Sequence, residues 1–177
     1  MHNHFRTHGE FEVILKRLKP THVVELGCAD GQCTIHLLSL AQTLRYRLTA
    51  VSDTPDNPFP AVPSNLRDLY RFVHGNSWEV IPRVGPAEVY VIDTDHTDEC
   101  LTKELNALWP YLRPGGVILL HDCETFPGLR NAITRFLRSH TELVLESHVP
   151  ESHGCTVLRR GLVAWENVPE GKAYGAA

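Results

Sequence analysis

Short apolar runs alternate with amphipathic stretches along most of this chain. Continuous or alternating apolar runs are typical of strands, whereas apolar residues that recur every three or four positions are typical of helices. On this basis strands are predicted at 22–26, 47–52, 71–74, 87–92, 117–120, 142–147 and 156–160. Helices are predicted at 11–18, 32–44, 66–70, 77–84, 98–109 and 129–140. The alternation of the two patterns predicts an α/β fold.

Turn-forming residues mark the boundaries between these elements. Pro20 ends the first helix, Ser77 is predicted as an N-cap, and Gly115-Gly116 is predicted to turn the chain before strand 117–120. Residues 53–65 contain four prolines and are predicted to form an irregular loop. The last two strands are joined by a connection too short for a crossover helix, so they are predicted to be antiparallel.

Polar residues follow the strands at the points where they end. Helical crossovers place successive strands parallel in one sheet, with helices on both faces, and ligands bind beyond the carboxyl ends of such strands. The residues predicted at that edge are Glu25 to Gly31, Asp53, Asn76, Asp93 to His96, and His121-Asp122. The sequence therefore predicts a binding site along this edge.

The first of these segments is a glycine turn flanked by acids. Its spacing is Gly27-x-x-x-Gly31, which differs from the G-x-G-x-x-G of dinucleotide-binding turns. Glu25 and Asp30 would repel a pyrophosphate but attract a cation, so the turn suits S-adenosylmethionine, which carries a sulfonium and an ammonium. Asp53 follows the second strand, where an acidic residue can hold ribose hydroxyls. The alternative is that Glu25 and Asp30 serve only as turn and cap residues.

Composition narrows the class of protein. A chain of 177 residues with 42% hydrophobic content is predicted to form one domain, residues 1–165, and residues 166–177 are predicted to be a flexible tail because they are poor in apolar residues. The net charge of -4 indicates no nucleic-acid partner. There is no apolar stretch near the length of a membrane span and no signal-peptide pattern, so a cytoplasmic protein without a membrane partner is expected. The five cysteines include no C-x-x-C pair and are expected to be reduced.

Several motifs in order along the chain resemble one family. The segments are VVELGCADG, AVSDT, FVHGNSWEVIP, VYVIDTDHTDECLTKELNALWPYLRPGGVILLHDC and FPGLRNAI, and the resemblance covers about Val23 to Arg160. They resemble class I S-adenosylmethionine-dependent methyltransferases. Within that class they are similar to the small-molecule branch that includes the macrolide and aminocoumarin sugar O-methyltransferases. The resemblance implies a Rossmann-like three-layer sandwich whose seven-stranded, mostly parallel sheet has the order 3-2-1-4-5-7-6 and an antiparallel edge strand.

The resemblance also implies roles for individual residues. Glu25 and Asp30, because of their charge, and Asp93 are also expected at the cofactor. Gly27, Ala29 and Gly31 would lie against its methionine part, and Asp53 would bind its ribose. Asn76 and Ser77 would flank its adenine. Family members often carry an aspartate where Asn76 stands, but an asparagine side-chain oxygen can still accept a hydrogen bond from the adenine amino group.

Methyl transfer to a hydroxyl requires that the hydroxyl lose its proton, either to a base or with the help of a metal. By resemblance His96 would be the base, with Asp93 beside it as a second catalytic residue, and the metal ligands would be Asp93, His121 and Asp122. His121 stands where the family has a carboxylate. Magnesium prefers oxygen ligands, so the set better suits manganese, iron or zinc. Alternatively, these side chains bind no metal and orient His96.

Three functions remain open on the sequence alone. The leading prediction is methyl transfer to a small-molecule acceptor, with a hydroxyl oxygen as the expected acceptor atom. A nicotinamide-dependent oxidoreductase is disfavoured by the glycine spacing and the acidic turn. A noncatalytic cofactor-binding or partner-binding domain is the third, since the chain is short for the fold and a partner could supply the missing lid. The sequence leaves the acceptor unidentified and is compatible with a homodimer.

Overall fold

A computed structural model describes residues 5–54, 62, 64–151 and 153–162, with side chains described from residue 9 onward. Most of the proline-rich loop 53–65 and the predicted flexible tail 166–177 lie outside the described residues. Within the described part, no helix is long and apolar enough to cross a membrane.

Strands and helices alternate along the chain as predicted. The strands are β1 (His22–Leu26), β2 (Arg47–Ser52), β3 (Tyr70–His74), β4 (Ala87–Ile92), β5 (Leu112–His121), β6 (Leu143–Val149) and β7 (Cys155–Arg160). The α-helices are α1 (Phe5–Leu18), α2 (Gln32–Leu44), α3 (Ser77–Val84), α4 (Asp98–Leu108) and α5 (Pro127–Ser139). Two short 3-10 helices, Ser64–Leu69 and Trp109–Tyr111, precede β3 and β5.

The strands form one seven-stranded sheet in the order β3-β2-β1-β4-β5-β7-β6. The pairs from β3 to β5 are parallel, and β7 runs antiparallel to both of its neighbours, β5 and β6. The predicted fold class, strand order and antiparallel final pair are therefore confirmed. Because four parallel crossovers end on the same side, the carboxyl ends of β1, β2, β3, β4 and β5 share one edge of the sheet.

Each face of the sheet has its own core, because successive strand side chains point to opposite faces. On one face Leu26 and Tyr90 pack with Leu105 of α4 and Phe136 of α5. On the other face Val23 and Val89 pack with residues of α1 and α2, namely Phe11, Leu15, Leu37 and Ala41. The helices packed on each face hold the sheet in place, and they thereby also position the edge that carries the candidate site.

Three local predictions were wrong. The N-cap of α3 is Asn76 rather than Ser77, whose hydroxyl donates a hydrogen bond to another helix. Gly115 and Gly116 lie inside β5 rather than in a turn before it, and a Cβ on Gly116 would lie 2.7 Å from the Glu88 carbonyl oxygen of β4. Glycine there permits close approach of the two strands. The predicted helix 66–70 is a 3-10 helix that ends at Leu69, and Tyr70 belongs to β3.

Candidate active site

The glycine turn after β1 lies against the end of β4. Gly27 has a φ of +85°, and a Cβ on it would lie 2.0 Å from the Asp93 carbonyl oxygen. The Gly27 N–H donates to the Val51 carbonyl at 2.9 Å, and the Asp93 N–H donates to the Leu26 carbonyl at 2.9 Å. Glycine is required at position 27 both for its left-handed backbone and for this close approach. The turn thus brings the predicted cofactor residues next to Asp93.

Asp30 acts on the backbone of the turn itself. Its Oδ1 accepts from the Gln32 N–H at 3.2 Å and its Oδ2 accepts from the Gln32 side-chain amide at 2.8 Å. Asp30 is exposed, and it lies between Ala29, at a φ of 39°, and Gly31, at a φ of 82°. The interpretation of Asp30 as a turn and cap residue accounts for both of its oxygens.

Glu25 lies beneath the turn, inside the protein. Its side chain is 0% exposed, and neither carboxylate oxygen has a hydrogen-bond partner among the described residues. Burial raises the pKa of Glu25 to about 7, and Thr34 and Cys33 lie close enough to offset part of that rise without meeting hydrogen-bond geometry. An unpaired buried carboxylate is costly, and a nearby cation would relieve that cost.

The residues predicted at the ribose and adenine follow β2 and β3. Asp53 is exposed at the end of β2, and its backbone carbonyl accepts from His74 Nε2 at 3.0 Å. Asn76 Oδ1 is buried and accepts no hydrogen bond from the described residues. Ser77 differs from both, because its hydroxyl donates to Glu104 Oε1 at 2.5 Å. The side-chain acceptors of Asp53 and Asn76 are therefore unused by the described residues, whereas the Ser77 hydroxyl has already given its only proton to Glu104.

Two histidines and two aspartates meet where β4 and β5 end. His96 Nε2 lies 2.8 Å from Asp122 Oδ2 and 3.5 Å from Asp93 Oδ1. His121 Nδ1 lies 3.0 Å from Asp122 Oδ1 and 3.8 Å from Asp93 Oδ1. Neither histidine nitrogen meets hydrogen-bond geometry with these oxygens, so each contact is an ion pair only when its imidazole is protonated. The structure thus brings together all four residues predicted for the reaction.

The carboxylates set the protonation of this cluster. Asp93, followed by Asp122 and Asp95, raises the pKa of His96 against the opposing effect of burial. Burial lowers the pKa of His121, but Asp122 and Asp93 outweigh it and the net pKa is raised. Burial alone would raise the pKa of Asp122, but His121 and His96 outweigh it and hold that pKa below its ordinary value. The cluster is built to stabilise positive charge on its imidazoles.

The segment that follows β5 orients His96 from one side. Phe126 stacks on the His96 ring with centroids 4.3 Å apart and an angle of 7° between the planes. Asp122 has a left-handed backbone with a φ of 61°. The turn between β6 and β7 holds this segment in place, because the Glu124 N–H donates to the His153 carbonyl at 2.9 Å. The imidazole is therefore fixed by a ring on its face and by carboxylates at its edge.

A metal could be held by a set that differs from the predicted one. Asp93, His96 and Asp122 each offer a ligand atom, and these atoms all lie within 4.8 Å of one another. The predicted set contained His121 in place of His96. Two carboxylates and one imidazole are donors that fit manganese, iron or zinc. A neutral imidazole that binds a metal through Nε2 carries its ring proton on Nδ1, so His96 cannot be a metal ligand through Nε2 and a base through Nδ1 at the same time.

Sequence reasoning missed two residues of this site, Glu104 and Phe126. Glu104 is 0% exposed and accepts hydrogen bonds from Ser77 and Thr94. It falls in the apolar stripe of α4, one position before Leu105, so a charged residue on the buried face of a helix was the available signal. Phe126 had no such signal, because its contact with His96 depends on how the β5–α5 segment folds.

The strand order, the antiparallel β7 and the glycine turn against β4 define the fold of the class I methyltransferases. A family model described as a methyltransferase domain matches residues 24–123, which is more than half of the 177 residues. The chain belongs to this methyltransferase family, and the prediction of an S-adenosylmethionine-dependent methyltransferase is confirmed over the nicotinamide-dependent oxidoreductase.

Solved structures share the fold at low sequence identity. A Staphylococcus aureus protein predicted to be a caffeoyl-CoA O-methyltransferase has a TM-score of 0.71 at 12% identity, over 88% of this chain and 83% of its own. CalS11, the TDP-rhamnose 3'-O-methyltransferase of calicheamicin biosynthesis, has a TM-score of 0.64 at 18% identity, over 85% of this chain and 77% of its own. MycE, a methyltransferase of the mycinamycin pathway, has a TM-score of 0.65 at 14% identity, over 92% of this chain and 51% of its own. Its structure is a complex with Mg, S-adenosylhomocysteine and mycinamycin VI. No curated protein matches the sequence.

Proposed function

We propose that the protein transfers a methyl group from S-adenosylmethionine to a hydroxyl oxygen of a small molecule, with His96 as the general base. The observation that carries the proposal is the position of His96. Its imidazole lies at ion-pair distance from Asp93 and Asp122 at the carboxyl edge, and Asp93 in turn touches the glycine turn. Donor-binding residues and a base therefore adjoin, as the reaction requires.

The residues of the turn fit the methyl donor, which supplies an activated methyl group on a sulfonium when bound. Asn76 Oδ1, a buried acceptor without a partner among the described residues, can accept from the adenine amino group. Asp53 is exposed and can accept from the ribose hydroxyls. Glu25 supplies a buried carboxylate below the turn, and no hydrogen-bond donor in the described part of the chain reaches it, which favours a cationic ligand above it.

The acceptor hydroxyl has to be oriented and deprotonated. His96 Nε2 faces both carboxylates, which favours the tautomer protonated on Nε2 and leaves Nδ1 to accept the proton of the hydroxyl. Asp93 and Asp122 stabilise the imidazolium that forms. Phe126 holds the ring plane while the proton moves. His121 contributes by orienting Asp122, whose Oδ1 lies 3.0 Å from His121 Nδ1.

A metal-assisted form of the same reaction is the second candidate, and the three ligand atoms within 4.8 Å favour it. Asp93, His96 and Asp122 would hold the ion, and it would acidify the acceptor hydroxyl directly. The magnesium in the complex of MycE supports this form for a protein of the same fold. In this form Nε2 of His96 is a ligand, and the histidine is no longer the base.

The acceptor class follows from the neighbours rather than from the site. CalS11 acts on a nucleotide sugar and MycE binds mycinamycin VI, both of which are small molecules. We expect a small-molecule hydroxyl here and no nucleic acid. The single domain at residues 1–165 and a homodimer both remain predictions.

Calorimetry and product detection test the proposal. S-adenosylhomocysteine should bind with a measurable heat, and NAD should not. Labelled S-adenosylmethionine is then offered with a panel of catechols and nucleotide sugars, in chelator and with added Mn²⁺ or Mg²⁺. Methyl transfer in chelator supports the base mechanism, and transfer only with an ion supports the metal-assisted form. Binding of NAD without S-adenosylhomocysteine would refute both.

A further inference from the structure

A second buried carboxylate, Glu104, lies behind the candidate site. Its side chain is 0% exposed, and among the described residues it has no ion-pair partner. Burial raises the pKa of Glu104 to about 7, which reflects the cost of keeping a carboxylate there. Leucine or methionine would fill the same place on α4 without that cost. The carboxyl group therefore needs a reason other than packing.

Both oxygens of Glu104 accept a hydrogen bond from a hydroxyl of another segment. Ser77 Oγ, on the first residue of α3, donates to Oε1 at 2.5 Å. Thr94 Oγ1, from the segment that follows β4, donates to Oε2 at 2.8 Å. Glu104 thus joins the start of α3 to the segment that carries Asp93 and His96.

The position of Thr94 explains how this contact reaches the reactive side chains. Thr94 stands between Asp93 and Asp95, and a Cβ on Gly27 would lie 3.0 Å from its Cα, so its backbone also borders the glycine turn. Thr97 ends the same segment, and its hydroxyl accepts from the Cys100 N–H at 3.2 Å as the cap of α4. The segment 93–97 is therefore fixed to α4 at two points, once by the cap and once by Glu104.

We propose that Ser77 and Glu104 are positioning residues that hold the Asp93–His96 segment through Thr94, so that the Ser77 hydroxyl serves the reactive side chains and not the adenine. This inference rests on the proposed function for the identity of the reactive residues. It changes the role that the family resemblance implies for Ser77. It also gives a function to a buried acid that the reaction itself does not use.

The link predicts effects on His96 from residues that do not touch it. The variants are Ser77→Ala, Thr94→Val and Glu104→Gln, each of which removes or alters one hydrogen bond with little change in volume. The control is Glu99→Gln, on the exposed side of the same helix, where Glu99 pairs with Lys103. The readouts are the backbone amide and imidazole signals of His96 in ¹H–¹⁵N spectra, and the dissociation constant of S-adenosylhomocysteine by calorimetry.

Ser77→Ala and Thr94→Val should each shift the His96 amide and imidazole signals, and Glu99→Gln should leave them in place. The dissociation constant of S-adenosylhomocysteine should stay within about twofold of the unmodified protein in Ser77→Ala, because no adenine contact of the hydroxyl is lost. Glu104→Gln keeps an acceptor for one hydroxyl and should give the smaller shift. Thermal melts confirm that each variant is folded.

Two results would overturn the inference. One is weaker binding of S-adenosylhomocysteine by roughly tenfold or more in Ser77→Ala with unchanged His96 signals, which would return the hydroxyl to the adenine site. The other is unchanged His96 signals in all three variants. If the unmodified protein does not bind S-adenosylhomocysteine at all, the proposed function fails, while the spectra still decide whether Glu104 positions His96.

Discussion

The two ends of β1 differ in whether a buried polar side chain has hydrogen-bond partners. At the amino end of β1, His22 is buried and both of its ring nitrogens are used: Nδ1 lies 2.9 Å from the Pro86 carbonyl and Nε2 lies 2.9 Å from Thr49 Oγ1. At the carboxyl end of the same strand, Glu25 is buried and has no hydrogen-bond partner among the described residues.

Buried polar groups that have hydrogen-bond partners and those that lack them indicate different roles in the protein. Hydrogen bonds to both nitrogens of His22 stabilise the folded chain and leave nothing for a ligand. Glu25 and Asn76 Oδ1 keep acceptors for which the described part of the chain offers no donor, and such groups persist where a ligand supplies the donor or the charge. The difference separates a structural end of the sheet from a functional end, and each prediction below tests one side of it.

The largest effect is expected for His96→Ala, because it removes the proposed base. Turnover should fall by roughly a hundredfold to ten-thousandfold, while the affinity for S-adenosylhomocysteine should change little. In the unmodified protein the rate should rise with pH, because the base is active only when neutral, and its inflection should lie above 6.5 because Asp93 and Asp122 raise the pKa of His96. Steady-state rates across pH and calorimetry measure both effects.

Equal loss of turnover and of S-adenosylhomocysteine binding in His96→Ala would contradict the base role and place the histidine at the cofactor. His140→Ala is a suitable control, since His140 packs on Phe136 with ring centroids 4.0 Å apart, far along the chain from the reactive segment. It should lower stability without changing the pH profile of turnover.

The pattern of apolar and polar residues was sufficient to predict the sheet. HVVEL, RLTAVS and AEVYVI became β1, β2 and β4 with the predicted bounds, because buried strands of a parallel sheet need continuous apolar runs. The edge that carries the site followed from the same topology. Strand pairing alone then brought Asp93 and Asp122 together, so their proximity was predictable from order along the chain.

Side-chain partners could not be predicted in this way. Serine is a residue type that favours the N-cap, yet the cap of α3 is Asn76 and Ser77 is the first helical residue. Its hydroxyl donates to Glu104 of α4, a contact between two helices that no local pattern indicates. Glu25 was placed around the turn, but strand alternation directs it into the core below α2. The ion-pair partner of His96 also depends on the left-handed backbone at Asp122, which no local pattern indicates.

A smaller effect, on stability, is expected from Glu25. Its pKa is raised from 4.5 to about 7 in the folded chain, so the folded state binds the proton more tightly than the unfolded state. Its contribution should therefore lower the free energy of unfolding as pH rises from 4.5 to 7, by about 3 kcal/mol at most. Glu25→Gln should remove this decline, as followed by urea unfolding at a series of pH values.

Glu99→Gln is the control for Glu25, because Glu99 is exposed and pairs with Lys103 at the surface. Its free energy of unfolding should keep the decline between pH 4.5 and 7 that is expected for the unmodified protein. If Glu25→Gln and Glu99→Gln gave the same pH dependence, Glu25 would have a donor in solution, and the contrast between the two ends of the sheet would fail.

His22→Ala tests the structural end of the sheet. It leaves the Pro86 carbonyl and the Thr49 hydroxyl without their partner, so the free energy of unfolding should fall by about 2 kcal/mol. Burial lowers the pKa of His22, so its contribution to stability should weaken as pH falls below 6.5, opposite in sign to that of Glu25. Turnover at saturating donor should be unchanged, and a loss of turnover larger than the loss of folded protein would contradict the structural role.

The smallest effect is expected at Asn76, where stability and ligand affinity should respond differently to the same substitution. Asn76 Oδ1 is buried without a donor among the described residues, so Asn76→Ala removes an unsatisfied acceptor and should not lower the free energy of unfolding of the ligand-free protein. Binding of S-adenosylhomocysteine should nevertheless weaken by about 1 kcal/mol, because the adenine amino group would lose the acceptor that we propose for it. Asn76→Asp keeps the acceptor and should retain the affinity. Calorimetry and thermal melts of the two variants separate these effects: a variant that loses stability but keeps its affinity would make Asn76 a structural cap of α3, like the polar groups at the opposite end of the sheet.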